Sequence, residues 1–235
     1  MSVVQIKLPS AQRVSDGLLT IILILIGLSV FGQCSKYLWG YPMLKGFVPM
    51  FYVDYEATAP TWYSSSALGL AGAILAVIAV AKHQSRDRFR WHWMTLSVLF
   101  FGLSADEIAM LHELPIDPMR DMFQLGGALH YGWVIPGIAF VGIIGVLYLR
   151  FLLMLPARTR NFLIFSAILF VSGAIGVEML SGMQADRFGE ENLDYALIVT
   201  IEEMLEMLGV VVLVRGLLDY IEREFANLRL EFSQR

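Results

Sequence analysis

Seven carboxylates stand inside otherwise apolar segments of this 235-residue chain. Asp106, Glu107 and Glu113 lie with His112 in LSADEIAMLHELP, Glu178 lies in GAIGVEMLSG, and Glu202, Glu203 and Glu206 lie in TIEEMLEMLG. Carboxylates and an imidazole are ligands for a divalent cation and carriers for a proton. Packed together in a low dielectric, they cannot all ionise unless something positive joins them. The sequence therefore predicts either protonated acids or a bound cation. A metal centre would take Asp106, Glu113, Glu178, Glu202 and Glu206 as oxygen ligands. His112 is the first nitrogen ligand and His130 the second, and Glu203 and Glu107 are left as proton acceptors.

This ligand mixture matches the composition of di-iron and di-manganese helical bundles. The Glu-x-x-His spacing of that class is absent, because Glu107 and His112 are five apart. Oxygen and nitrogen ligands alone do not select between Fe, Mn and Zn. No Walker loop, G-x-S-x-G, C-x-x-C or H-E-x-x-H occurs.

The elements that must position these groups are membrane spans. The chain is 57% hydrophobic and 16% charged, with a mean hydropathy of +0.64. Ordinary soluble domains are about 45–50% apolar and about 25% charged. A helical span needs about 20 mostly apolar residues. The uncharged runs predict an all-α, polytopic membrane bundle with six transmembrane helices at about 17–38, 63–82, 91–114, 131–154, 161–183 and 194–222. An amphipathic tail is expected at about 216–235, with Leu218, Ile221, Phe225 and Leu228 on one stripe. One integral membrane domain covers 1–235. Continuous runs such as IILILIGL argue against barrel strands, which would alternate. The first run is long and FGQCS is not a small-residue cleavage site, so a retained helix is expected rather than a cleaved signal.

Placing the N-terminus inside puts 13 Lys and Arg on the inner segments and four (Lys36, Lys45, Arg120 and Arg187) outside. By the positive-inside rule both termini are then cytoplasmic, in the inner membrane if the source is bacterial. In this topology all three acidic segments reach the outer half of the bilayer. At 1.5 Å per residue, Asp106, Glu202 and Glu178 sit roughly 13, 12 and 7 Å inside it. No Lys or Arg is expected at that depth. Asp106 and Glu113, seven apart, share a helical face, as do Glu202 and Glu206. Glu107 and His112 point elsewhere unless the helix unwinds near Pro115. Gly209 continues the Glu202 stripe and would admit a neighbouring backbone, and Pro136 would kink its helix near His130.

Three functions follow from these residues. The first is a metal-dependent membrane enzyme, an oxidoreductase or hydrolase, acting on a lipid or quinone-like substrate. The second is a cation or proton transporter using the same acids, although the inner halves of the helices offer little polar lining. The third is a subunit or assembly factor of a membrane complex. The aromatic loop from Tyr37 to Tyr63, with Trp39, Phe47, Phe51, Tyr52 and Trp62, would fit a protein partner or a second copy. Membrane lipids are expected around the protein. A net charge of −4 gives no footprint for nucleic acid, and the single Cys34 cannot form an internal disulfide.

Overall fold

The computed structural model describes residues 10–225, which are helical with no strand among them. Nine α-helices follow in order: α1 (Ala11–Tyr37), α2 (Phe47–Phe51), α3 (Ala59–Gln84), α4 (Arg90–Ala109), α5 (Ile116–Phe123), α6 (Val134–Met154), α7 (Ala157–Val171), α8 (Glu178–Phe188) and α9 (Leu193–Glu224). A wide π-helical turn, Ser172–Val177, joins α7 to α8, so Ala157–Phe188 forms one continuous helical run. Four helical runs are long and apolar enough to cross a membrane: α1, α3, α6 and the α7–α8 run. The other two long helices, α4 and α9, carry Asp106 and Glu107 and the three glutamates of the EE-x2-E segment.

Local chemistry sets the helix ends. Ser10, Thr58 and Asn192 cap α1, α3 and α9 by accepting from the backbone N–H three residues on, as short polar side chains do at helix N-termini. Pro60 and Pro136 fall in the first turns of α3 and α6, where a missing N–H breaks no helical bond. Pro136 therefore does not kink an ongoing helix, because α6 begins at Val134. The expected 91–114 helix stops at Ala109. Met110 turns into the left-handed region (φ +52°), and its N–H still bonds Asp106 O at 2.7 Å. The stop falls at the left-handed Met110, five residues before Pro115.

α9 is the central post. α1, α3 and α7 all pack along it, and α3 and α4 form a closely packed pair. The core runs through Leu75, Ile78, Val214 and Leu217, with Trp93 stacked on Tyr220 at 5.2 Å. Small residues let α7 and α9 touch backbone to backbone. A Cβ added at Gly209 would lie 2.8 Å from Phe170 N and 3.0 Å from Ser166 O. Ser166 fills the same seam and donates to Gly209 O at 2.8 Å. The aromatic loop after α1 folds over one end of the bundle and buries Val48 and Tyr52 against Ala196 of α9. The expected amphipathic tail continues α9 as far as Glu224; Leu228 and the rest of it lie outside the described residues.

Candidate carboxylate chamber

A cavity of about 890 Å³ opens between the α3–α4 pair, α6, α7 and α9. Its lining is divided. One end holds acids and tyrosines, and the other holds Leu75, Leu96, Phe100, Ile144, Phe151 and Leu213. The cavity is partly open and partly polar-lined, so it is space that water, lipid or a ligand can fill.

Eight of the nine sequence-predicted site residues line it: Asp106, Glu107, His112, Glu113, Glu178, Glu202, Glu203 and Glu206. The turn at Met110 makes this possible for the first four. Once the chain leaves the helix there, His112 folds back on Asp106. The Asp106 carboxylate accepts from the His112 backbone N–H at 2.9 Å and meets its Nδ1 at 2.9 Å. The imidazole then lies edge-on to Trp133, centroids 5.3 Å apart.

From α8, Glu178 accepts from Trp133 Nε1 at 3.0 Å. From α9, Glu202 is 7% exposed and accepts from Ser181 at 3.0 Å. The π turn brings these elements together. A Cβ at Gly173 would lie 2.7 Å from Glu202 O and 2.7 Å from Glu206 Cγ, so only glycine allows this approach. Wide turns of this kind are frequent at functional sites. Glu203 and Glu206 face the chamber and make no side-chain hydrogen bond among the described residues. Glu206 and Glu107 also border a small void beside Ser64, whose buried hydroxyl has no hydrogen-bond partner.

His130 does not join the set. Its Nε2 faces Arg120 Nη1 at 3.4 Å and its Nδ1 faces Asp186 at 3.4 Å, outside the chamber. Asp186 also accepts from Gly127 N at 3.0 Å, which ties the glycine turn to α8.

Sequence reasoning missed five lining acids (Asp54, Glu56, Asp117, Glu190 and Glu191) and two bases. Asp54 and Glu56, from the aromatic loop, line the acid end. Their signal is an acid pair alternating with tyrosines, YVDYE, inside a loop otherwise rich in apolar rings. Asp54 accepts from Tyr195 at 3.2 Å. The Tyr195 hydroxyl meets that of Tyr131 at 2.9 Å, and Tyr131 donates to Glu190 at 3.0 Å. Burial pushes the Asp54 carboxyl up to about 6, partly offset by the Tyr195 hydrogen bond and reinforced by the charge of Glu190. Burial likewise pushes Glu56 up to about 7, with Glu113 adding repulsion and His112 opposing it.

Lys36 and Arg120 also reach the lining, which corrects the expectation of no base at this depth. Both are already engaged. Lys36 bonds Glu191 at 2.6 Å and Tyr55 at 2.9 Å among three tyrosine rings, and Arg120 bonds Asp117. Twelve acids line the chamber. Lys36, Arg120 and His112 account for Glu191, Asp117 and Asp106. Nine are left without a base: Asp54, Glu56, Glu107, Glu113, Glu178, Glu190, Glu202, Glu203 and Glu206. Among the described residues, no three His, Cys, Asp or Glu groups converge closely enough to hold a metal ion. The arrangement is a diffuse field of carboxylates rather than a ligand cage.

No curated protein and no solved structure matches the chain. A family model described as a domain of unknown function, DUF8692, matches residues 17–221. That span runs from within α1 to the last turns of α9 and takes in every residue lining the chamber, from Lys36 to Leu213. The chain belongs to this family.

Proposed function

We propose that the chain is a single integral membrane domain of six spans, with α4 and α9 crossing beside the four apolar runs, and that the acid end of its chamber binds a cation in the outer half of the bilayer. The excess of Lys and Arg on the segments flanking the opposite ends supports cytoplasmic termini. One observation carries the functional reading: nine carboxylates from four separate segments face one cavity without a base. Charged side chains in spans are expensive and ordinarily face a functional interior. The apolar remainder of the chamber suits a lipid-soluble molecule held next to that cation. Its inner end is floored by Tyr148 and Phe151, which argues against a continuous ion path and so against transport.

A metal form of this reading is favoured by the Asp106–His112 contact. A carboxylate on one imidazole nitrogen is the usual support for a histidine that ligates a metal through the other. Glu178, Glu202 and Glu206 would supply oxygen ligands for Fe, Mn or Zn after rotation of their side chains. Glu203 and Glu107 would then hold the protons of a redox or hydrolytic step on a lipid or quinone-like substrate. Elemental analysis of protein purified in mild detergent, without chelator or metal-affinity carry-over, tests this form. About one equivalent of metal, lost in Glu202→Ala and in Glu178→Ala with the fold retained, is expected of it. Metal-free protein that nonetheless binds small ammonium ions would remove the metal and leave the cation site.

A further inference from the structure

We propose that the cation is the head of an amphiphile: a single hydrocarbon chain carrying a protonated amine, which enters the chamber sideways from the bilayer between α4 and α6. The proposal rests on the cation reading above and adds the chemical class of the ligand and its route.

The acid field and the apolar volume are one continuous cavity. From Glu203 to Leu213 along α9 is roughly 15 Å at 1.5 Å per residue. Half of a bilayer's hydrocarbon core is also roughly 15 Å. The apolar part therefore has the depth of one leaflet's chains. Its floor at Tyr148 and Phe151 would stop the end of such a chain.

The head is assigned by charge and by spread. The carboxylates without bases do not converge on a point. An ammonium group carries three N–H donors that diverge and can serve several acceptors at once. Glu107, Glu203 and Glu206 line the chamber, and the Ser64 hydroxyl, without a hydrogen-bond partner, shares a small adjoining void with Glu107 and Glu206.

The route is assigned by α6. This helix is held at both ends and open between. At its outer end Trp133 bonds Glu178 and packs on His112. At its inner end Tyr148 donates to His92 O at 3.1 Å, and Phe151 packs on Trp93 at 5.0 Å. Between these ties α6 faces α4 across the cavity. Gly145 of α6 lines the chamber, and a Cβ added there would meet nothing within 4 Å. Val141 lines the chamber and is also 36% exposed, so the wall here is one helix thick.

The test uses the full chain in nanodiscs of zwitterionic lipid and a dodecylamine carrying a diazirine at its chain end. Illumination should label peptides from the inner halves of α6 and α9. Dodecylamine should compete for this labelling and dodecanoate should not. Gly145→Phe, which places a ring in the chamber at an uncrowded position, should reduce labelling about tenfold or more, the equivalent of about 1.4 kcal/mol. Gly145→Leu provides a smaller block should the phenyl variant fail to fold. Glu206→Gln should weaken labelling without moving its position. Equal competition by dodecanoate would overturn the assignment of the head, and labelling indifferent to both Gly145 variants would overturn the chamber. If methylammonium binds but chain length adds nothing, the amphiphile falls and the cation site stands. If no amine binds and no metal is found, both fall.

Discussion

Gly173 and Gly176 lie three residues apart in the same π turn, and their alanine variants should move in opposite directions. At Gly173 a Cβ would stand 2.7 Å from Glu202 O, 2.7 Å from Glu206 Cγ and 3.2 Å from Glu206 N. Two of those atoms are backbone, so the clash is relieved only by moving α7 off α9. Overpacking of this kind costs about 1–3 kcal/mol, and a backbone neighbour puts Gly173→Ala near 3. For a chain of this size each kcal/mol is about 2–4 °C, giving a fall of about 6–12 °C. At Gly176 nothing lies within 4 Å and the backbone is not left-handed. Gly176→Ala should gain about 0.5–1 kcal/mol from reduced freedom of the unfolded chain, a rise of about 1–4 °C. Tryptophan scanning fluorimetry at one fixed scan rate would read both, since unfolding of a membrane protein is commonly irreversible. Gly173→Ala should also weaken ammonium binding, because the separation moves Glu178 of the α7–α8 run away from Glu202 and Glu206 of α9. A Gly173→Ala protein with wild-type thermal behaviour, or a Gly176→Ala protein that falls as far, would refute the claim that this contact sets the spacing of the acids.

Other outcomes follow from the same geometry. Asp54 ionises at about 6 when folded against 3.8 unfolded, so the folded chain holds its proton more tightly. That contribution is fully present below about pH 4 and is lost as pH rises through about 6, amounting to about 3 kcal/mol. Thermal stability measured against pH should show this slope, and Asp54→Asn should flatten it. Cation affinity should run the other way, rising between pH 5 and 8 as Asp54 and Glu56 ionise; titration of methylammonium at several pH values checks it, and a flat profile would exclude both acids from the site. At the opposite end of the bundle, Asp219 accepts from Arg158 Nε and Nη2 at 3.0 and 2.9 Å and from Arg223 Nε at 2.9 Å. Both arginines are more than half exposed, so Asp219→Asn should cost only about 1–2 kcal/mol, a loss that shrinks in high salt when scanned by the same fluorimetry.

Much of this architecture could be read from hydrophobic periodicity. The six expected segments coincide with the six long helical runs to within six residues at either end, and α4 stops early. The acidic segments do line one cavity, as their positions along helices of alternating direction predict. What could not be read was tertiary. Asp54 and Glu56 reach the chamber only because Val48 and Tyr52 pin their loop to Ala196, a contact with no local signature. Asp106 and Glu113 were expected to share a face on the assumption of an unbroken helix. The left-handed Met110 ends that helix and instead hands His112 to Asp106. His130 has the right residue type near the right depth, yet Asp186 and Arg120 claim it, and neither is adjacent to it in sequence.

The pairing of α1 with α9 has a consequence for the order in which the protein is made. α1 packs along α9, and its buried Gln33 donates to Thr200 at 2.7 Å, two residues before the first of the three glutamates. At the other end of the pair, Ala11 N bonds Glu222 at 2.8 Å. During synthesis α1 leaves the ribosome first of the nine helices and α9 last. On the six-span reading α1 would therefore wait in the bilayer without its main partner until α9 is made. Its composition suits the delay, since IILILIGL carries no charge that lipid would reject. α9 is the opposite case. On the six-span reading it would bring Glu202, Glu203 and Glu206 into hydrocarbon, after α1, α3 and α7 have been made. On that reading the helix most costly to place in lipid would be the last one made, beside neighbours made before it.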